Sequence, residues 1–508
     1  MPFIDRLFSF EPQPRVVKRA WLIPLATAVV FDQLFWMRFP GLNVPLFVAV
    51  LLGGGYGFMR LQGLRPTKST RWLALSLLLF SSASTARDEP LTLILDYFVV
   101  LVLAMLVADS ASGKRWIDYG FREHVIAIVH VALAGIARGG VALLEPKETP
   151  GIEDGRDRWR VLLRGSLITL PILLLFGSLL ASADAVFASF ITKPLSWLDS
   201  ATFAEHVIRA VVILMVTYVL FGVMLHAVRV RHDVGPPFAH GSADGRPARG
   251  VVEVAILLGS LNLLFGLFVG FQVRYFFGGP SGFRRLGLTY SQYARKGFGE
   301  LLAVGVFVLL LMLALNVLVR TQTRGERLLV ASMASGLVVW TGLILISAFQ
   351  RLLLYEDAYG FTRLRTYSHV FMLWVGIALT AILVLQWARA PHRFALTLLI
   401  AGLGFTASLN ILGVDAFVAN KNIDRALQGA EFDADYLSGL SAEAIPVLIS
   451  RRVELAPQDR DVVERGLVCD ASRHRSHQIP WQSANHARLR AKRLLREFQA
   501  RASAEVSC

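Results

Sequence analysis

Residues 91–108 read LTLILDYFVVLVLAMLVA, eighteen residues with a single charged side chain, Asp96. A hydrocarbon core about 30 Å thick is crossed by roughly 20 apolar residues in a helix. A helix also bonds its own backbone, as lipid requires. Runs of the same kind lie on both sides of this one, at 21–37, 43–59 and 71–86 before it, and at 161–182, 206–228, 251–273, 301–319, 328–349, 367–387 and 394–414 after it. The expected fold is therefore all-α, a polytopic integral membrane protein with about eleven transmembrane helices. Composition agrees, since 55% of the 508 residues are hydrophobic and 18% are charged, against about 25% charged in soluble domains. An ordinary soluble, collagen-like or disordered chain is excluded.

The connections shape the bundle. Phe39-Pro40-Gly41 and the stretch 86–90 are short, so the first four spans are expected to be antiparallel neighbours. Gly53-Gly54-Gly55 offers a surface for close helix approach. Segment 109–160 is charged, and its apolar middle, 124–144, contains His130 and Arg138. It is read as an interfacial helix lying flat with Arg138 snorkelling; were it a span, everything downstream would be inverted.

With the N-terminus inside, the cytoplasmic segments carry more than twice the Lys and Arg of the outside loops. The expected divisions are 1–110, a four-helix part; 111–160, a charged connection; 161–416, a seven-helix core; and 417–508, a soluble helical region. In the last, Ser441 is read as a helix N-cap, a helix is expected over 458–469, and a basic amphipathic helix over 483–502.

The formal charge of +15 is a topology signal plus this basic tail. Its scatter between spans does not fit a nucleic-acid motif. The expected partners are the lipid bilayer and a protein engaged through the C-terminal region. The two cysteines, Cys469 and Cys508, permit at most one bridge. Cys469, His474 and His477 are too loosely spaced to define a metal site. His130, His206, His226 and His369 have no spacing that compels a facing haem pair. No cofactor, metal site or catalytic residue is assigned.

Intramembrane polar groups are functional candidates by default, because a charge at the bilayer centre costs at least about 2.5–3.5 kcal/mol. They include Asp32, Asp96, Arg209, Asn262 and Asn410. The densest set falls between 253 and 425: Glu253, Gln272, Tyr290, Arg295, Glu300, Arg351, Tyr355, Arg363, Asp415 and Asn420. Arg351, Tyr355 and Tyr359 are spaced by four and share a helical face. Together these residues are expected to make a polar chamber at one membrane face.

Several motifs in this stretch carry a family resemblance. They are Asn262-Leu263-Leu264-Phe265, Tyr275-Phe276-Phe277-Gly278-Gly279, Tyr293-Ala294-Arg295-Lys296-Gly297-Phe298, Tyr359-Gly360-Phe361-Thr362 and Asn422-Ile423. Over about 160–450 the chain resembles the bacterial membrane proteins known as domain of unknown function 4173. The resemblance implies a polytopic inner-membrane protein and supplies no catalytic residues.

No Walker phosphate loop, His-Glu-x-x-His helix or Gly-x-Ser-x-Gly elbow occurs. Three functions are weighed: a transporter- or permease-like protein, a structural or signalling scaffold acting through its C-terminal region, and, third, an intramembrane enzyme on a lipid-linked substrate.

Overall fold

The computed structural model describes residues 20–144 apart from 112, 114 and 115, scattered positions between 169 and 184, then 201–229, 250–276, 298–390 apart from 320 and 322, 393–475 and 479–501. All regular structure among the described residues is helical. The helices of the apolar part are α1 (Leu22–Phe35), α2 (Asn43–Leu61), α3 (Lys68–Ala83), α4 (Pro90–Ala111), α5 (Phe121–Leu144), α6 (Ala201–Arg229), α7 (Val251–Phe276), α8 (Phe298–Leu318), α9 (Arg324–Tyr359), α10 (Arg363–Trp387) and α11 (Phe394–Leu412). Eight of them, α2, α4 and α6 to α11, are long and apolar enough to cross a membrane. The fold is that of an all-α polytopic membrane protein. Only 11–44% of each crossing window is buried inside the protein. Ile94, Phe98, Leu263, Phe307 and Leu373 stand exposed, a surface that suits lipid and not water.

Side-chain pairs fix the helix directions. Asp32, near the end of α1, accepts Arg209 Nε at 3.1 Å from the start of α6. Asp109, at the end of α4, lies 3.3 Å from His226 at the end of α6. The start of α6 therefore lies where α1 ends. Helix α5 runs antiparallel along α6: His130 stacks edge-on to His226 at 5.1 Å, and Tyr218 donates its hydroxyl hydrogen to the Ile136 carbonyl. A Cβ on Gly222 would sit 2.6 Å from the Gly135 carbonyl oxygen, so glycine is what lets the two backbones touch. Residues 121–144, expected to lie flat and apart, are thus packed lengthwise in the bundle. The Asp32–Arg209 and Asp109–His226 contacts fix the direction of α6 relative to α1 and α4. Span 161–182 falls largely outside the described residues.

Helices α7 and α9 run parallel, with Asn262 donating to the Met333 carbonyl at 2.9 Å and Gly266 against Trp340. Helix α9 starts on a capping box, Thr323 with Glu326, and stops at Gly360, whose φ of +80° suits glycine. That turn reverses the chain into α10. Helix α11 returns beside it, with Trp374 Nε1 donating to Ser408 at 3.0 Å.

At Gly413 (φ +62°) the chain turns into the tail: α12 (Val414–Leu427), α13 (Ala434–Ser438), α14 (Ile445–Arg451), α15 (Pro457–Arg475) and α16 (His486–Arg501). The break falls three residues before the expected 416/417 boundary, so Asp415 belongs to the tail. Ser441 caps no helix; its N–H donates to Asp415 at 2.7 Å, and Asp433 caps α13 instead. Helix α16 buries Ala487, Ala491, Leu495 and Phe498 and turns Arg490, Arg493 and Arg496 to solvent. The tail core is continuous with Tyr367 and Leu409 of the bundle. The tail sits on the turns at 36–42, 84–89 and 360–362, which defines a tail-side end of the bundle.

Candidate functional site

The turn between α3 and α4 is the tail's main anchor. Its carboxylates and backbone are used up in pairs across the junction. Glu443 accepts the N–H groups of Asp88 at 2.7 Å and Glu89 at 3.3 Å and faces Arg87 at 3.5 Å. Burial pushes its carboxyl up from the ordinary range, and these donors offset part of that. Asp88 pairs with Arg488, and Asn485 donates to the Arg87 carbonyl at 2.6 Å. Glu89 turns inward to cap α4, accepting Thr92 N–H at 2.7 Å. Beside this, Arg363 makes a two-pronged contact to fully buried Asp415, at 2.7 and 2.6 Å. Two of the expected chamber residues are therefore a lock between bundle and tail. Asn420 also belongs to the tail, where it receives Arg451 at 3.3 Å.

The remaining expected residues divide. Glu253 and Glu300 are exposed at the starts of α7 and α8, which lie at opposite ends of the bundle. Tyr290 and Arg295 lie outside the described residues. Arg351 and Tyr355 lie near the tail-side end of α9. The parallel α7–α9 offset, 71 residues at Asn262–Met333, sets buried Gln272 near the level of Leu343, two turns from buried Arg351. Tyr355 packs with its ring tilted against Tyr359 at 4.9 Å and carries the Arg365 guanidinium over its ring at 4.2 Å.

Next to Tyr355 stands Glu356, a member of the same Arg351–Tyr359 cluster in the sequence that was not selected among the candidates. Glu356 is 1% exposed. Among the described residues neither of its carboxylate oxygens receives a hydrogen bond. His369 on α10 faces it, with Nδ1 3.4 Å from Oε1. His369 in turn stands edge-on to Phe349 at 4.4 Å. A buried carboxylate normally has its oxygens filled by donors, which sets Glu356 apart among the described acids. A spacing signal existed: Phe349 and Glu356 are seven apart, on one face of α9.

A second buried polar set occupies the opposite end. Asp109 receives the Tyr119 hydroxyl at 2.9 Å and faces His226 at 3.3 Å. Burial, then the Asp109 charge, pushes the Tyr119 phenol far up. His130 and His226, left unpaired by spacing alone, are brought together by α5 and α6. So are Asp96 and Asn410, joined at 2.6 Å across 314 residues. Among the described residues no three His, Cys, Asp or Glu side chains are grouped to hold a metal ion.

No curated protein and no solved structure matches the chain. A family model does, over residues 74–450, and its description is Domain of unknown function (DUF4153). The number corrects the resemblance read from the motifs, and the match begins well before residue 160. The Glu356 layer and the Arg363–Asp415 lock both fall inside it. With about three quarters of its length matched, the chain belongs to the family described as Domain of unknown function (DUF4153).

Proposed function

We propose that this protein is a transporter- or permease-like component of a bacterial inner membrane, working through a polar chamber formed by Gln272, Arg351, Tyr355, Glu356 and His369. The observation that carries the reading is Glu356, a fully buried carboxylate beside His369 whose oxygens no described donor fills. A buried acid at the membrane face with open acceptor sites binds protons or polar solutes. In this reading α5 crosses the membrane with its neighbours. The excess of Lys and Arg in segments at the opposite end makes that end cytoplasmic and puts the tail outside.

The test is proton entry into proteoliposomes loaded with a pH-sensitive dye, driven by a potassium diffusion potential. Glu356→Gln abolishes entry and Glu300→Gln, at an exposed position, preserves it. Wild-type entry no faster than empty vesicles, or equal entry in both variants, overturns the reading.

A second reading, a scaffold acting through the tail, is favoured by the exposed arginines of α16. A tagged full-length protein crosslinked in its own membranes then recovers one defined partner, and Arg490→Glu with Arg493→Glu loses it.

A further inference from the structure

Below the Glu356–His369 pair, α9 and α10 part to leave an apolar groove of about 620 Å³. Its walls include Val338, Gly342, Ile346 and Phe349 of α9 with Leu373 and Gly376 of α10. These positions continue the faces that carry the polar pair. Phe349 and Glu356 are two turns apart on α9, and His369, Leu373 and Gly376 follow at helical spacing on α10. Phe349 touches the His369 ring, so the groove ends where the polar layer starts. The apolar pocket thus adjoins the buried polar pair along both helices, with Phe349 between them.

Its depth suits a lipid. Helix α9 has 36 residues, about 54 Å at 1.5 Å per residue, so it overshoots a hydrocarbon core of about 30 Å at both ends. Centred in that core, α9 holds Gly342 to Phe349 in the tail-side half of the hydrocarbon and Glu356 at headgroup level. The headgroup chemistry is equally constrained. Glu356 offers two oxygens without donors, which a primary ammonium fills and a quaternary one cannot. Arg365, one turn before His369 on α10, uses Nη1 on the carbonyls of Tyr359 and Gly360. Among the described residues its Nε and Nη2 make no hydrogen bond, and they suit a phosphate.

We infer that the chamber holds a phospholipid of the tail-side leaflet with a primary ammonium headgroup, its acyl chain in the α9–α10 groove. The inference builds on the reading of Glu356 as a ligand-binding group.

The experiment uses the full chain in nanodiscs of equimolar phosphatidylethanolamine and phosphatidylcholine, with retained lipid weighed by native mass spectrometry. One phosphatidylethanolamine per chain is retained, preferred about tenfold over phosphatidylcholine, a difference of about 1.4 kcal/mol. Gly376→Trp fills the groove and loses the lipid. Gly342→Trp does the same and is read should the first variant not fold; a Cβ at either position meets nothing within 4 Å. Glu356→Gln keeps a lipid but equalises the two headgroups. Equal retention of both lipids by the wild type, or retention in both tryptophan variants, overturns the inference. Retention is read without flux, so selective binding with no proton entry removes the transport reading alone, and proton entry with no retained lipid removes this inference alone.

Discussion

Two buried acid–histidine pairs sit at opposite ends of the bundle and differ in one respect. Asp109 is completed by its neighbours: Tyr119 donates to one oxygen and His226 faces the other. Glu356 has His369 at 3.4 Å and, among the described residues, no hydrogen bond at all. The first pair ties the ends of α4 and α6 to the segment between α4 and α5. The second joins only consecutive helices, α9 and α10, which the Gly360 turn already holds together. A satisfied buried acid is structural, because every acceptor is spent on the fold. An unsatisfied one keeps its capacity for a ligand and contributes little to stability.

The strongest way to break this comparison is to remove the satisfied acid. Asp109→Ala leaves Tyr119 and His226 without their partner and costs about 3–5 kcal/mol, read as a lowered melting temperature in detergent. A melting curve like that of the wild type would erase the distinction. Next comes the helix contact on which the first pair depends. Gly222→Leu forces α6 off the backbone of α5 at Gly135 and costs about 1–3 kcal/mol. Exchange of the amides of α5 accelerates in hydrogen–deuterium measurements, while those of α10 hold.

The unsatisfied acid supplies the contrast. Glu356→Gln alters a side chain that no described donor binds, so melting shifts by less than about 1 kcal/mol; a loss as large as that of Asp109→Ala would make both pairs structural. The smallest effect concerns the tail. Glu443 is held above its ordinary 4.5 by burial. Its docked form therefore keeps the proton more tightly than the undocked form, and docking is strongest below 4.5 and weakens as pH rises through the raised value. Limited proteolysis of the tail speeds up over that interval, and Glu443→Gln flattens the difference. The opposite slope would mean that Arg87 outweighs burial.

Much of the fold was legible along the chain because lipid imposes a rule on each segment separately. The apolar runs at 91–108, 251–273, 301–319 and 367–387 each became one helix, with ends shifted by four residues or fewer. Helix α9 ran ten residues past the expected end at 349 and stops only at the Gly360 turn. Density of polar residues put Gln272, Arg351 and Tyr355 in the expected chamber; Glu356, in the same cluster, was not selected, since one carboxylate among several has no local mark of burial. Arg363 and Asp415 were expected in the chamber and proved to join bundle and tail, because the chain turns at Gly413.

The sequence by itself determined a helical membrane protein with a basic helical tail, for those properties follow from hydropathy and periodicity within single segments. Only the tertiary structure decided that α5 packs along α6, that the tail grips the turn before α4, and that Asp109 is satisfied where Glu356 is not. The reason is physical: a hydrogen bond between residues 109 and 226, or an ion pair between 88 and 488, depends on the relative placement of helices far apart in the chain. No periodicity within one segment encodes it.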